Sequence, residues 1–149
     1  MTRSLSTLSN LIRRTAVVAM IAGAVGAAIL IQPGSASGGG TLHVGDLDGV
    51  ANQKPSWQAK ITITVHDASE QPLSGVTVGG AWGGGAAGTV SCKTGRKGTC
   101  TVASPAVAPG ITEVTFRVMG ATAAGYAYDK DANHDSDGSS DGTTITITK

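Results

Sequence analysis

The residues after Gly40 predict an all-β fold, an immunoglobulin-like antiparallel β-sandwich of seven or eight short strands, on three observations. Apolar and polar side chains alternate with period two, as in strands that bury one face. Clusters of Gly, Pro, Asn and Asp interrupt the alternation at short intervals. No stretch of this region spaces its apolar residues as a helix does. The roughly 110 residues that follow residue 37 suit one domain with one modest core, and strands of this number and spacing stack as two sheets.

The first strand is read at Leu42 to Val44. The clearest one runs from Trp57 to His66, where Trp57, Ile61, Ile63 and Val65 hold the inward positions and His66 is expected to face water. Gln71-Pro72-Leu73-Ser74-Gly75 then turns the chain, because Pro72 presets one backbone angle and Gly75 accepts a positive φ. Further strands are read at Val76 to Trp82, Thr89 to Cys92, Cys100 to Val102, Val114 to Met119, Tyr126 to Tyr128 and Thr144 to Thr148. The run from Gly79 to Gly88 has too little side chain for a stable strand throughout. It reads as a flexible bulged connection, and its spacing does not fit a phosphate-binding loop that opens a helix.

Residues 1–37 have the three-part layout of a signal peptide. Arg3, Arg13 and Arg14 precede an apolar run from Ala16 to Ile31, and Gln32-Pro33-Gly34-Ser35-Ala36-Ser37 follows with small residues for cleavage. Two subsite pairs compete, Ser35 with Ser37 and Gly34 with Ala36. The rival reading is a retained membrane anchor, against which the apolar run falls short of the roughly 20 residues that span a bilayer; once the leader is removed, no membrane association is expected. The domain then comprises residues 38–149. Eight of the eleven basic residues and all ten acidic ones lie there, a formal charge of −2. A mildly acidic domain without a concentrated basic face disfavours nucleic acid as a partner.

Cys92 and Cys100 share strand parity with Val90 and Val102, and Lys93 to Thr99 reads as a hairpin loop between them. The expectation is a disulfide across a strand pair, formed outside the cytosol. His43, His66 and His134 each lie near an aspartate, which invites a hydrolase reading. Adjacent strand residues face opposite ways, however, so His66 and Asp67 do not orient one another, and no serine sits in a strained elbow. Trp57 and Trp82 have inward parity and are assigned to the core in preference to a sugar-stacking face.

The chain from Asp129 to Asp141 is the one stretch with metal-ligand spacing. Asn133, Asp135, Asp137, Gly138 and Asp141 follow N-x-D-x-D-G-x-x-D, which presents oxygen ligands suited to calcium. Thr144 stands where a bidentate glutamate would complete a helix-flanked calcium loop. Two readings compete: a weak calcium site, with Kd of about 10⁻⁴ to 10⁻³ M, and a solvated turn. The ligand set is Asn133, Asp135, Asp137 and Asp141. Asp46 and Asp48 near the start of the domain, and Asp129 and Asp131, are supplementary carboxylates, because the two segments can meet at one end of a sandwich.

Several segments together resemble a small immunoglobulin-like (fibronectin type III/Ig-like) accessory module of exported bacterial proteins, of the kind found C-terminal to secreted subtilisin-type proteases. They are His43-Val44-Gly45-Asp46-Leu47-Asp48-Gly49, Trp57 to Asp67, Cys92 with Cys100, Val114 to Val118, and Tyr128-Asp129 with Asn133 to Gly138. The resemblance implies a non-catalytic accessory or attachment domain, metal-stabilised in some copies. Ser136 and Ser139 depart from the proline and acid usual in that module, which implies weaker ion binding here. The expected function is a secreted, non-catalytic binding or structural module whose partner is an extracellular protein or a cell-wall polysaccharide. The alternative is a small extracellular hydrolase or enzyme inhibitor.

Overall fold

The computed structural model describes residues 39–53 and 56–149; the signal peptide read over residues 1–37 lies outside the described residues. Among the described residues eight strands follow one another: β1 (Thr41–Asn52), β2 (Gln58–Asp67), β3 (Thr77–Gly84), β4 (Gly88–Lys93), β5 (Thr99–Ala103), β6 (Glu113–Thr122), β7 (Ala127–Tyr128) and β8 (Thr144–Thr148). A single 3-10 turn, Lys130–Ala132, separates β7 from β8. The strands form two sheets, β5-β2-β1-β7 and β4-β3-β6-β8. The β1–β7 pair is parallel and every other pair antiparallel. The chain crosses between sheets after β2, β4, β5, β6 and β7, a connectivity of immunoglobulin-like sandwiches.

Strand parity places the core as expected. Trp57 and, from β2, Ala59, Ile61, Ile63 and Val65 pack with Val78 and Trp82 of β3, Val114, Phe116 and Val118 of β6, and Ile145 and Ile147 of β8. Burying each large member stabilises the fold by about 1.5–3 kcal/mol. Both indoles belong to this core, and the Trp82 and Phe116 rings pack with centroids 5.0 Å apart.

Three expectations are corrected. The glycine run is mostly strand: β3 continues through Gly84 and β4 begins at Gly88. Glycine is required at Gly80, where a Cβ would lie 2.2 Å from the Phe116 ring; the core aromatic occupies the space a side chain would need. Secondly, Cys92 and Cys100 are bonded, with Cα atoms 5.8 Å apart, but not across a ladder. The Cys92 strand pairs only with β3 and the Cys100 strand only with β2, so the bond joins the two sheets at one edge. Lys93 to Thr99 crosses between sheets because buried Thr94 anchors it, its hydroxyl accepting from Val76 N at 2.9 Å and donating to Leu73 O at 2.7 Å.

The third correction concerns β1, which extends far beyond Val44 and carries both acidic residues of that segment. Val44 pairs with Val65, yet Asp46 already pairs with Thr64, so Gly45 is an extra residue in the strand. The bulge switches parity. Leu42, Val44 and Leu47 point into the core, while His43, Asp46 and Asp48 share the outer face.

Candidate functional site: the polar edge of the first sheet

Beyond β7 the chain keeps close company with the free edge of β1. Asp129 N donates to Leu42 O at 2.9 Å and His134 N to Val44 O at 3.0 Å. Val44 N donates to Asn133 Oδ1 at 2.9 Å, and the Ser139 hydroxyl donates to Leu47 O at 3.1 Å. An edge strand left bare is a template for aggregation, and this segment satisfies it with loop and side-chain groups.

Aspartates shape the segment locally. Asp129 Oδ1 accepts from Asp131 N, Asp135 Oδ1 from the N–H groups of Asp137 and Gly138, Asp137 Oδ1 from Ser139 N, and Asp141 Oδ1 from Thr143 N. These are side chains imitating the carbonyl of a turn, for which Asp is favoured.

The same folding gathers carboxylates from two distant segments. Oxygens of Asp46, Asp48 and Asp137 lie within 4.8 Å of one another. Asp46 Oδ1 is buried and has no hydrogen-bond partner among the described residues. Burial, and then repulsion by Asp48, Asp135 and Asp137, raise the Asp46 pKa above the usual carboxylate value, against a lowering hydrogen bond from the Leu47 backbone. Asp135 behaves oppositely. Burial pushes its pKa up, but hydrogen bonds from Ser140, from Asp137 and from the Gly138 backbone outweigh that and hold it at about 2. Close like charges with an unsatisfied oxygen suit a hard, oxygen-seeking cation.

The eight carboxylate and amide residues read as ligands divide accordingly. Asp46, Asp48 and Asp137 converge, and Asp135 acts on them electrostatically. Asn133 is placed differently, because its amide is committed elsewhere: it accepts from Val44 N and donates to Tyr128 Oη at 2.7 Å and Thr143 Oγ1 at 3.0 Å. Asp141 caps the approach to β8, its carboxylate also bonded to Thr144 N. Asp129 caps the 3-10 turn, and Asp131 pairs with Lys130 at the surface.

A second convergence was missed. His43 and His66 are directly opposed across β1 and β2, and His134 and Glu70 complete a group of four. His66 therefore does not simply face water; only 20% of its side chain is exposed. Knowledge of the β1–β2 register would have revealed the His43–His66 pair; nothing local in the sequence marks the other two.

Among the described residues no helix is long and apolar enough to cross a membrane. Comparison with protein-family models, curated proteins and solved structures returned no match.

Proposed function

We propose that the chain is an exported, non-catalytic immunoglobulin-like module, an accessory or attachment domain that binds an extracellular protein or a cell-wall polysaccharide, with calcium holding its polar edge. The observation that carries the reading is the meeting of Asp46, Asp48 and Asp137, where the buried Oδ1 of Asp46 has no hydrogen-bond partner among the described residues. Calcium accepts several oxygen ligands in flexible geometry, and waters fill the positions the protein leaves open. The ion would offset the burial and the repulsion that raise the Asp46 pKa and would fix the segment along β1.

The inter-sheet disulfide supports export, because such bonds persist in oxidising compartments. A shallow trough of about 420 Å³ on the outer face of the second sheet, bounded by Gly79, Gly80, Thr89, Val90, Ser91 and Met119, offers a surface for a partner. The test is recovery of leader-processed, disulfide-bonded protein from culture medium, followed by capture of isolated cell-wall polymer and of purified exported proteins with calcium and with chelator. Calcium-dependent retention supports the reading. Intracellular recovery with free thiols, or retention of nothing from either source, counts against it.

A further inference from the structure

We propose that His43, His66, His134 and Glu70 form a closed, four-ligand site for zinc(II). The site is separate from the carboxylate cluster and does not rest on the calcium reading.

Three nitrogens surround one carboxylate oxygen at the spacing of ligands that share a tetrahedral ion. Glu70 Oε2 lies 3.3 Å from His43 Nε2, 3.2 Å from His66 Nδ1 and 3.5 Å from His134 Nε2. A tetrahedral zinc ion with bonds of about 2.0–2.1 Å has ligand–ligand edges of about 3.3 Å. All four ligand atoms lie within 4.8 Å of one another, so one ion can reach each with small side-chain adjustments. Three imidazoles and one carboxylate are borderline ligands that suit zinc, whereas calcium takes oxygen.

Features around the four residues support the assignment. His134 Nδ1–H donates to Ala132 O at 3.2 Å, which in the neutral ring leaves the Nε2 lone pair facing the cluster. A backbone carbonyl holding the remote nitrogen is the usual outer support of a metal-bound histidine. His43 is buried, and His134 is pinned through its N–H to Val44 O. The bulge residue Gly45 makes room for His66: a Cβ there would lie 2.2 Å from His66 Nδ1.

Glu70 is the sole non-glycine residue at positive φ among the described residues, at 59°. Asp67 holds that turn, its Oδ1 accepting from Ser69 N at 2.8 Å and Gln71 N at 3.0 Å, while Glu70 N donates to Asp67 O. A backbone conformation that L residues avoid is thus maintained with the carboxylate directed at three histidines. With four protein ligands the set leaves no open position, the pattern of a structural rather than a catalytic zinc site. It would clamp β1, β2, the β2–β3 turn and the segment before β8 together.

The test uses untagged, oxidised protein. After dialysis against Zn²⁺, the wild type should retain one equivalent by elemental analysis, and Co²⁺ should give the intense visible bands of a tetrahedral ion. His134→Ala and Glu70→Gln, both at solvent-accessible positions, should each weaken zinc binding by more than about tenfold. Asp137→Asn should leave it unchanged. Sub-stoichiometric zinc in the wild type, a weak octahedral cobalt spectrum, or undiminished binding in both variants would overturn the proposal. The wild-type measurements decide the matter even if a variant folds poorly.

Discussion

The two edges of the first sheet are closed by different means. At one, β5 is tied covalently to β4 of the opposite sheet through Cys92 and Cys100. At the other, β1 is covered by two residues of β7 and then by a polar segment whose hydrogen bonds run from Leu42 to Leu47. The covalent edge needs two residues eight apart in the chain. The polar edge needs residues 89 and 92 apart, as in Asn133 with Val44 and Ser139 with Leu47. Ligand-forming side chains gather at the second, because polar groups that complete a strand edge stay near water and beside one another.

The largest effect is expected at the covalent edge. Replacing both cysteines by alanine should lower stability by about 2.5 kcal/mol on the chain-entropy account of so short a loop, read by denaturant unfolding. If the polar edge is independently formed, the His43–His66 contacts should survive that change, which NMR of the imidazoles would report. The loss of those contacts with the disulfide would show that the edges are coupled.

Gly45→Ala attacks the other edge at its origin. A methyl group would collide with the His66 ring, and the expected cost is about 1–3 kcal/mol, as for other overpacked sites. The same denaturant series measures it, with zinc retention as a second readout. Asn133→Ala removes the acceptor for Val44 N and the donor to Tyr128 and Thr143. A loss of about 1–2 kcal/mol is expected from unmade hydrogen bonds, with faster amide exchange at Val44.

The smallest effect is that of pH, and it separates two carboxylates of the polar edge. The pKa of Asp135 is lowered in the fold, so its stabilisation is present above the ordinary carboxylate value and is lost as pH falls toward about 2. Asp46 is raised by burial and then by repulsion, so its ionised form is the unfavourable one and acidification through its folded value relieves both. Asp46→Asn should therefore raise metal-free stability near neutral pH, and Asp135→Asn should lower it. Melting curves of the two variants in chelator check the opposed signs.

Much of this was legible from residues alone, and the boundary has a physical basis. Strand parity in Trp57 to Val65 follows from local alternation, and the cysteine pairing from shared parity on two short strands. The partner of each cysteine strand was not legible, because Lys93 to Thr99 has the same composition whether it closes a hairpin or crosses between sheets. The glycine run misled because its local strand preference is weak, while Phe116, more than thirty residues away, supplies the packing that keeps Gly80 in a sheet. For the polar edge, the two acidic segments were legible and a sandwich allows them to meet at one end, but their meeting depends on strand order and the division of labour within them on backbone partners. Asn133 has the spacing of a ligand, yet Val44 N, a backbone group that no pattern marks, takes its oxygen. The histidines were judged against their sequence neighbours, whereas their partners are a cross-strand residue and two loops.

The most direct test of the account is the melting temperature of the oxidised, chelator-treated domain as calcium is added to millimolar concentration, measured for the wild type and for Asp46→Asn combined with Asp137→Asn. The expected result is a rise in the wild type that saturates and is absent in the double variant. A wild-type curve that calcium leaves unmoved, or an equal rise in both proteins, would contradict it.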